Sequence, residues 1–302
     1  MTTLGFIGIG RMGAPMVRRL LGAGHEVIVS DANLDAVAEL VKAGARATET
    51  PSKLADEAEI VFLSLPTPEI VQTVALGSNG LVAGKVLRIV VDLSTTGPRA
   101  AKTLAAGLEA RGIGVVDCPV SGGVAGAVSG KLSLMAAGLT RHFEAVEPFL
   151  LLFGKVIHVG QEPGQAQLIK VINNLMSVTA LAIASEGMVL AQKSGLDPAV
   201  LMKVVNTGSG RSNASEDKVP KYILTRSFDF GFALGLSAKD VRLCLEEADA
   251  LGVPMIVGSA ARQVLTIAKG LLGDDGDLTE LIKPIERWAG VEVAAGASRK
   301  AD

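Results

Sequence analysis

Phe6-Ile7-Gly8-Ile9-Gly10-Arg11-Met12-Gly13 decides the fold. The apolar run over residues 4–9 reads as a buried strand, and residues 12–21 space their apolar side chains as one face of a helix. Between them stands G-x-G-x-x-G. Gly8 permits the tight turn out of the strand, Gly10 lets a pyrophosphate approach the backbone, and Gly13 lets helix and strand pack closely. The helix start presents unpaired N–H groups and the positive end of its dipole to phosphates. Arg11 and Met12, in the same loop, belong to the expected contact surface. A lone G-x-G-x-x-G is weak evidence; the strand before it, the helix after it and Asp31 make the difference. Asp31 closes the next strand pattern, where a carboxylate accepts ribose hydroxyls and repels a 2′-phosphate. Ala32-Asn33 follow, with no arginine to welcome that phosphate. NAD is the expected cofactor, with NADP second.

Outward from this stretch, strand patterns recur at 26–30, 60–65, 86–93, 115–118, 132–137 and 156–159. They alternate with helical patterns at 34–43, 69–75, 99–111 and 141–152. Such alternation predicts βαβ units and a mainly parallel sheet. The pattern changes after Gly160-Gln161-Glu162-Pro163-Gly164. From there the sequence predicts helices alone, over 165–194, 198–205, 238–251, 255–269 and 278–288. The fold class is therefore α/β: an N-terminal Rossmann-type doubly wound sheet in residues 1–163, then an all-helical C-terminal domain in 164–302, with a tail over 294–302 that is expected to fray. The cleft between the two domains is the expected seat of the chemistry.

Composition excludes several classes. The net charge is −2, with no basic patch, so nucleic acid is not an expected partner. Cys118 and Cys244 form no CxxC or Cys/His cluster, which fits a reduced, cytoplasmic protein without a metal site. Met1-Thr2-Thr3 runs straight into a strand, leaving no expected signal peptide. Residues 175–191 imitate a membrane span but fall short of its ~20 apolar residues and contain Glu186, so a buried core helix is expected, and no membrane partner. The same helix is expected to help form a homodimer or homotetramer.

Three later strand ends converge on the carboxyl edge of the sheet, where ligands of open α/β sheets gather. They are Ser64-Leu65-Pro66-Thr67, Asp92-Leu93-Ser94-Thr95-Thr96-Gly97-Pro98 and Asp117-Cys118-Pro119-Val120-Ser121-Gly122-Gly123. Leu65, Pro66 and Thr95 are thereby cofactor-site candidates. Ser121 with the exposed N–H groups of Gly122 and Gly123 suits a carboxylate. Further on, Lys170 and Asn174 share one helix face, an amine and a carboxamide at i and i+4. In a chain that binds a nicotinamide, that pair suggests hydride transfer with proton movement. His25, His142 and His158 lack the carboxylate pattern of a histidine-based 2-hydroxyacid dehydrogenase.

These motifs resemble the β-hydroxyacid dehydrogenase family. The match runs in order through residues 8–16, Asp92-Leu93-Ser94-Thr95, Asp117-Cys118-Pro119-Val120-Ser121-Gly122-Gly123, Lys170-Val171-Ile172-Asn173-Asn174 and Lys239-Asp240-Val241. Gly208-Ser209-Gly210-Arg211-Ser212 is similar to a Ser-Gly-Arg stretch of some members. The resemblance implies oxidation of a short 3-hydroxy acid to its semialdehyde, or the reverse. Lys170 would be the general acid/base, with a pKa lowered by burial from the unperturbed ~10.4. Asn174 would orient the substrate oxygen, Ser121, Gly122, Gly123 and Arg211 would bind substrate, and Lys239 would close over the cofactor. The rival readings are an NADPH-dependent semialdehyde reductase and a non-catalytic nucleotide-sensing protein.

Overall fold

A computed structural model of the chain describes residues 2–296, so residues 297–302 of the tail lie outside the described residues. The chain divides into two compact units, Met1–Val171 and Ile172–Asp302.

The first unit holds the sheet. Its strands are β1 Thr3–Ile7, β2 Glu26–Ser30, β3 Arg46–Ala47, β4 Ile60–Leu63, β5 Ile89–Asp92, β6 Gly114–Asp117, β7 Val120–Ser121, β8 Leu132–Ala137 and β9 Gly154–Gly160. The order is β3-β2-β1-β4-β5-β6-β8-β7, with β9 also on β8. Strands β1 to β6 are parallel; β8 runs antiparallel to β6 and β7 and parallel to β9. The chain winds one way from β1 to β3 and the other way from β4 to β6. The switch point therefore lies between β1 and β4, where such sheets open a ligand crevice beyond their carboxyl ends.

Both faces of this sheet are buried, which is why its strands read as apolar runs rather than alternating ones. Leu4, Phe6, Val27, Val29, Ile60, Phe62, Ile89 and Val91 point to one face. They pack on α1 (Gly13–Gly22), α2 (Leu34–Lys42) and α7 (Thr140–Leu150), where Met16, Val17, Leu20, Leu40, Phe143 and Val146 are buried. Ile7, Ile28, Val61, Leu63 and Val90 point to the other. They meet α3 (Pro51–Ala55), α4 (Pro68–Leu76) and α5 (Pro98–Glu109) through Leu54, Val71, Ala75 and Leu104.

Expected strand 86–93 shortens to 89–92, because Val86, Leu87 and Arg88 donate to Ala55 and Glu59 carbonyls before the ladder begins. Strands β3 and β7, helix α3 and helix α6 (Gly123–Ser129) are too short for periodicity to reveal.

Helix α8 (Gln165–Ser194) starts in the first unit and continues into the second. Then come α9 (Pro198–Thr207), a π-helix over Ala214–Ile223, α10 (Leu234–Ala250), α11 (Ile256–Leu272) and α12 (Lys283–Ala289). Among the described residues of the second unit, an isolated bridge joins Ala233 to Asp277 between the helices. Two expectations need correction. α10 starts one turn earlier than residue 238, so Lys239 lies in its second turn rather than at its start. The core-helix reading of 175–191 holds for one side only. Met176, Ile183 and Leu190, seven residues apart, are 68%, 63% and 71% exposed, while Leu175, Val178, Leu181 and Ala182 are buried.

The first turn of α8 is fixed by a buried polar network on the ends of β5 and β6. Gln167, fully buried, accepts from Thr96 N–H and Gly97 N–H at 2.9 and 3.1 Å, and donates to the Ser94 carbonyl at 2.9 Å. Asp117 Oδ2 accepts from Gly164 N–H at 2.9 Å and Gln167 N–H at 3.2 Å. Asp92, in register with Asp117 on the next strand, accepts from Ser94 N–H and the Thr96 hydroxyl. Burial, with a smaller contribution from Asp92, pushes the Asp117 carboxyl up from 3.8 to about 7, against the hydrogen bonds from Gln167 and Gly164.

A carboxyl whose folded pKa is raised holds its proton more tightly folded than unfolded. Folding is therefore favoured below its unfolded pKa, loses ground as pH climbs toward about 7, and levels off above. Asp117→Asn mimics the protonated group and keeps an oxygen for both N–H donors. Its stability relative to the native chain should rise between pH 4.5 and 7.5 by a few kcal/mol, ~4 at the limit set by the shift. Urea denaturation of both proteins across that range measures the divergence; parallel pH profiles would refute it.

Candidate active site

The glycines of residues 8–13 divide into two kinds. Gly8 has φ of +89°, and a Cβ there would lie 2.3 Å from the Ser64 carbonyl oxygen. A Cβ on Gly13 would lie 2.0 Å from the Gly8 carbonyl oxygen. Close packing explains both. At Gly10 an added Cβ meets nothing within 4 Å, so the protein's own packing does not demand glycine. The open space above it leaves room for the phosphate that the sequence motif implies. The first turn of α1 has no side-chain cap and no acidic residue, leaving its N–H groups and dipole for an anion. Arg11 is exposed and Met12 half-buried at its mouth.

Asp31 lies beside this loop. Its Oδ2 accepts from Ile9 N–H at 2.7 Å and its Oδ1 from Asn33 N–H at 2.8 Å. The carboxylate thus ties the end of β2 to the glycine loop and keeps acceptor capacity on both oxygens. Neighbouring strand ends are tied in the same way: Ser64 N–H donates to the Ile7 carbonyl, and Leu65 N–H to Ser94 Oγ at 2.9 Å. Leu65 is half-buried, Pro66 exposed and Thr95 half-buried, all at the carboxyl edge of β4 and β5. The dinucleotide candidates Gly8, Gly10, Arg11, Met12, Gly13, Asp31, Leu65, Pro66 and Thr95 thus share one edge of one sheet. Their residue types fit an adenine dinucleotide: a glycine cradle for phosphates and a carboxylate for a ribose.

Ser121 ends β7 and is half-buried. Gly122 and Gly123 follow with φ of +124° and +62°, a backbone that L side chains rarely adopt, and both are exposed. Their N–H groups open α6. Lys170 lies one helical turn beyond Gln167 and is 8% exposed, a position quite unlike that of a solvated surface lysine.

Within the second unit, Asn174 Nδ2 donates to Asp240 Oδ2 at 2.6 Å, and its Oδ1 accepts from Asn173 Nδ2 at 3.3 Å. Since a carboxylate only accepts, Asp240 fixes which way the Asn174 amide faces. Lys239 Nζ is 3.1 Å from Asp240 Oδ1, close enough to pair but off the hydrogen-bonding direction, so that oxygen makes no hydrogen bond. Arg211 is exposed, with Nε 3.7 Å from Glu216, a surface ion pair of little strength.

Gln167, Asp117 and Asp240 are not among the candidates that the sequence offers. Each was legible in part: Asp117 and Asp240 stand inside the quoted motifs, and Gln167 is an amide three residues before the candidate lysine. Burial is what marks them, and periodicity does not report the burial of a polar side chain.

Two substitutions separate packing from binding. Gly13→Ala should cost about 1–3 kcal/mol or more through the clash with Gly8. Gly10→Ala should leave the melting temperature nearly unchanged yet weaken nicotinamide dinucleotide binding by about tenfold or more, since its methyl takes the space of the phosphate. Thermal denaturation and calorimetric titration of both variants check this, and normal binding by Gly10→Ala would remove the cradle.

Residues 3–160 match the family described as the NAD binding domain of 6-phosphogluconate dehydrogenase, and 164–285 match the NAD-binding family of NADP-dependent 3-hydroxyisobutyrate dehydrogenase. The chain is 36% identical to a 2-(hydroxymethyl)glutarate dehydrogenase of Eubacterium barkeri, over 97% of this chain and 98% of that one. It is 32% identical to a 3-sulfolactaldehyde reductase of Escherichia coli, over 96% and 98%. A Mycobacterium tuberculosis 3-hydroxyisobutyrate dehydrogenase structure with L-serine superposes with a TM-score of 0.87 at 30% identity, covering 94% of this chain and 99% of that one. With the glycine cradle, the doubly wound sheet and the ordered motifs in place, these matches establish that the chain belongs to the β-hydroxyacid dehydrogenase family and is an NAD(P)-dependent oxidoreductase.

Proposed function

We propose that the chain interconverts a short 3-hydroxy acid and its semialdehyde with NAD preferred over NADP, using Lys170 as general acid/base. The observation that carries this reading is the position of Lys170. It is a nearly buried amine, one turn along α8 from a glutamine clamped to the ends of β5 and β6. The nicotinamide, when bound, supplies the hydride acceptor or donor. Lys170 takes the hydroxyl proton on oxidation and returns it on reduction. Asn174, its amide held by Asp240, orients the substrate oxygen. Ser121 and the N–H groups of Gly122 and Gly123 hold the substrate carboxylate, with Arg211 toward its far end. Asp31, Leu65, Pro66, Thr95 and Lys239 contact the cofactor. NAD is preferred because a carboxylate at Asp31, followed by Ala32, repels a 2′-phosphate.

The functional domains on this reading are 1–163 and 164–302, in step with the two family matches. A cytoplasmic location is supported by two free, buried cysteines and the absence of disulfides among the described residues.

Lys170→Ala should lower turnover of 3-hydroxy acids at least about a thousandfold while NAD affinity changes little. Following nicotinamide absorbance over a panel of 3-hydroxy acids and semialdehydes, with NAD and NADP in parallel, tests both the lysine and the cofactor preference. Near-native turnover by the variant would end the proposed role.

We also propose that the chain forms a homodimer or homotetramer through α8. Ile169, Met176, Ile183 and Leu190 recur every seven residues as an exposed apolar stripe, the spacing of a helix that packs against another helix. Met176→Glu combined with Ile183→Glu should shift the mass measured by light scattering to that of one chain; an unchanged mass would exclude this face.

A further inference from the structure

Lys218 is 3% exposed, yet among the described residues no carboxylate pairs with its ammonium. Its partners are neutral. Nζ donates to Ser177 Oγ at 3.1 Å and to Asn213 Oδ1, and lies 5.1 Å from the centre of the Phe230 ring. Taking an ammonium out of water is costly, and burial lowers the Lys218 pKa against the smaller opposing pull of the Asp217 charge.

The local backbone is built around this contact. Residues Ala214–Ile223 wind as a π-helix, whose repeat brings a residue back under the one five positions earlier. Lys218 is thereby set beneath Asn213. Because an ammonium only donates, the amide oxygen of Asn213 must face inward, and its NH2 group turns outward from an exposed residue. The buried charge polarises that amide and strengthens its outward donors. Arg211 lies two residues earlier on the same loop and is likewise exposed. On the other side, Ser177 stands one turn past Asn174 on the same face of α8, ~4.5 Å along the helix.

We infer that Asn213 binds a second acidic group, a carboxylate or a sulfonate, at the far end of the substrate, with Lys218 as the positioning residue behind it. This rests on the reading of Asn174 as the group that orients the substrate's oxygen. It narrows the substrate class to 3-hydroxy acids whose distal substituent carries a negative charge.

The test compares 3-hydroxy acids identical except at the distal end, which bears a carboxylate, a sulfonate or the uncharged methyl ester. Native enzyme should favour an acidic member over the ester by about tenfold or more in kcat/KM, the worth of a hydrogen bond to a charged group. Which acid leads distinguishes carboxylate from sulfonate. Asn213→Leu and Lys218→Met should bring the ratio close to one, with the loss falling on the acids, and Lys218→Arg should restore most of it. Equal use of acid and ester by the native enzyme, or a Lys218→Met defect that is the same for both, overturns the inference. A second readout needs no turnover: glutarate should raise the melting temperature of the native enzyme, and Asn213→Leu should abolish that shift. Absent turnover with the glutarate shift intact would count against the dehydrogenase reading and for this one; no glutarate shift counts against this one.

Discussion

Gln167 ties one loop to one strand end through four hydrogen bonds. Its amide oxygen takes two backbone N–H groups from the turn after β5, its amide nitrogen reaches back to Ser94 in the same turn, and its own N–H closes on Asp117 at the end of β6. A helix start buried this deeply leaves orphan donors unless something accepts them, and Asp117 accepts from Gly164 and Gln167 together. The position of Lys170 depends on this arrangement. A long lysine side chain is otherwise one of the least constrained groups in a protein; here its helix is keyed into two strands a single turn away.

The network carries a cost. Asp117 and Asp92 face each other across adjacent strands in a nearly water-free layer, and one Asp117 oxygen has no hydrogen-bond partner. Buried carboxylates of this kind are tolerated where position matters more than stability. The apolar packing on both faces of the sheet supplies the stability against which that cost is set, with Phe62 in ring contact with both Phe6 and Phe153.

What could be read beforehand followed the physics of each signal. The doubly wound sheet was legible because strands buried on both faces are apolar throughout, and the glycine loop because turn, approach and packing each ask for glycine at a fixed place. Lys170, Asn174 and Ser121 enter as candidates through ordered motifs, not through any period in the sequence. Short pieces were not legible: β3 and β7 have two residues each, too few for any period to register. The π-helix was missed because Pro220 reads as a breaker, whereas a wider helix accommodates it. Which side of α8 is exposed is illegible for a related reason. A helix apolar on every side carries no directional pattern, so composition alone cannot say which side meets protein.

Asp31 has a consequence of its own. Both its oxygens are already gripped by main-chain donors from two different loops, so the side chain has a single rotamer before any sugar arrives. On the proposed role of Asp31, ribose recognition requires no freezing of a mobile arm, because the acceptor is already aimed. The same rigidity makes the position unforgiving of length. A glutamate, one methylene longer, cannot keep both grips and hold its oxygens in place, so here the two acids are not interchangeable.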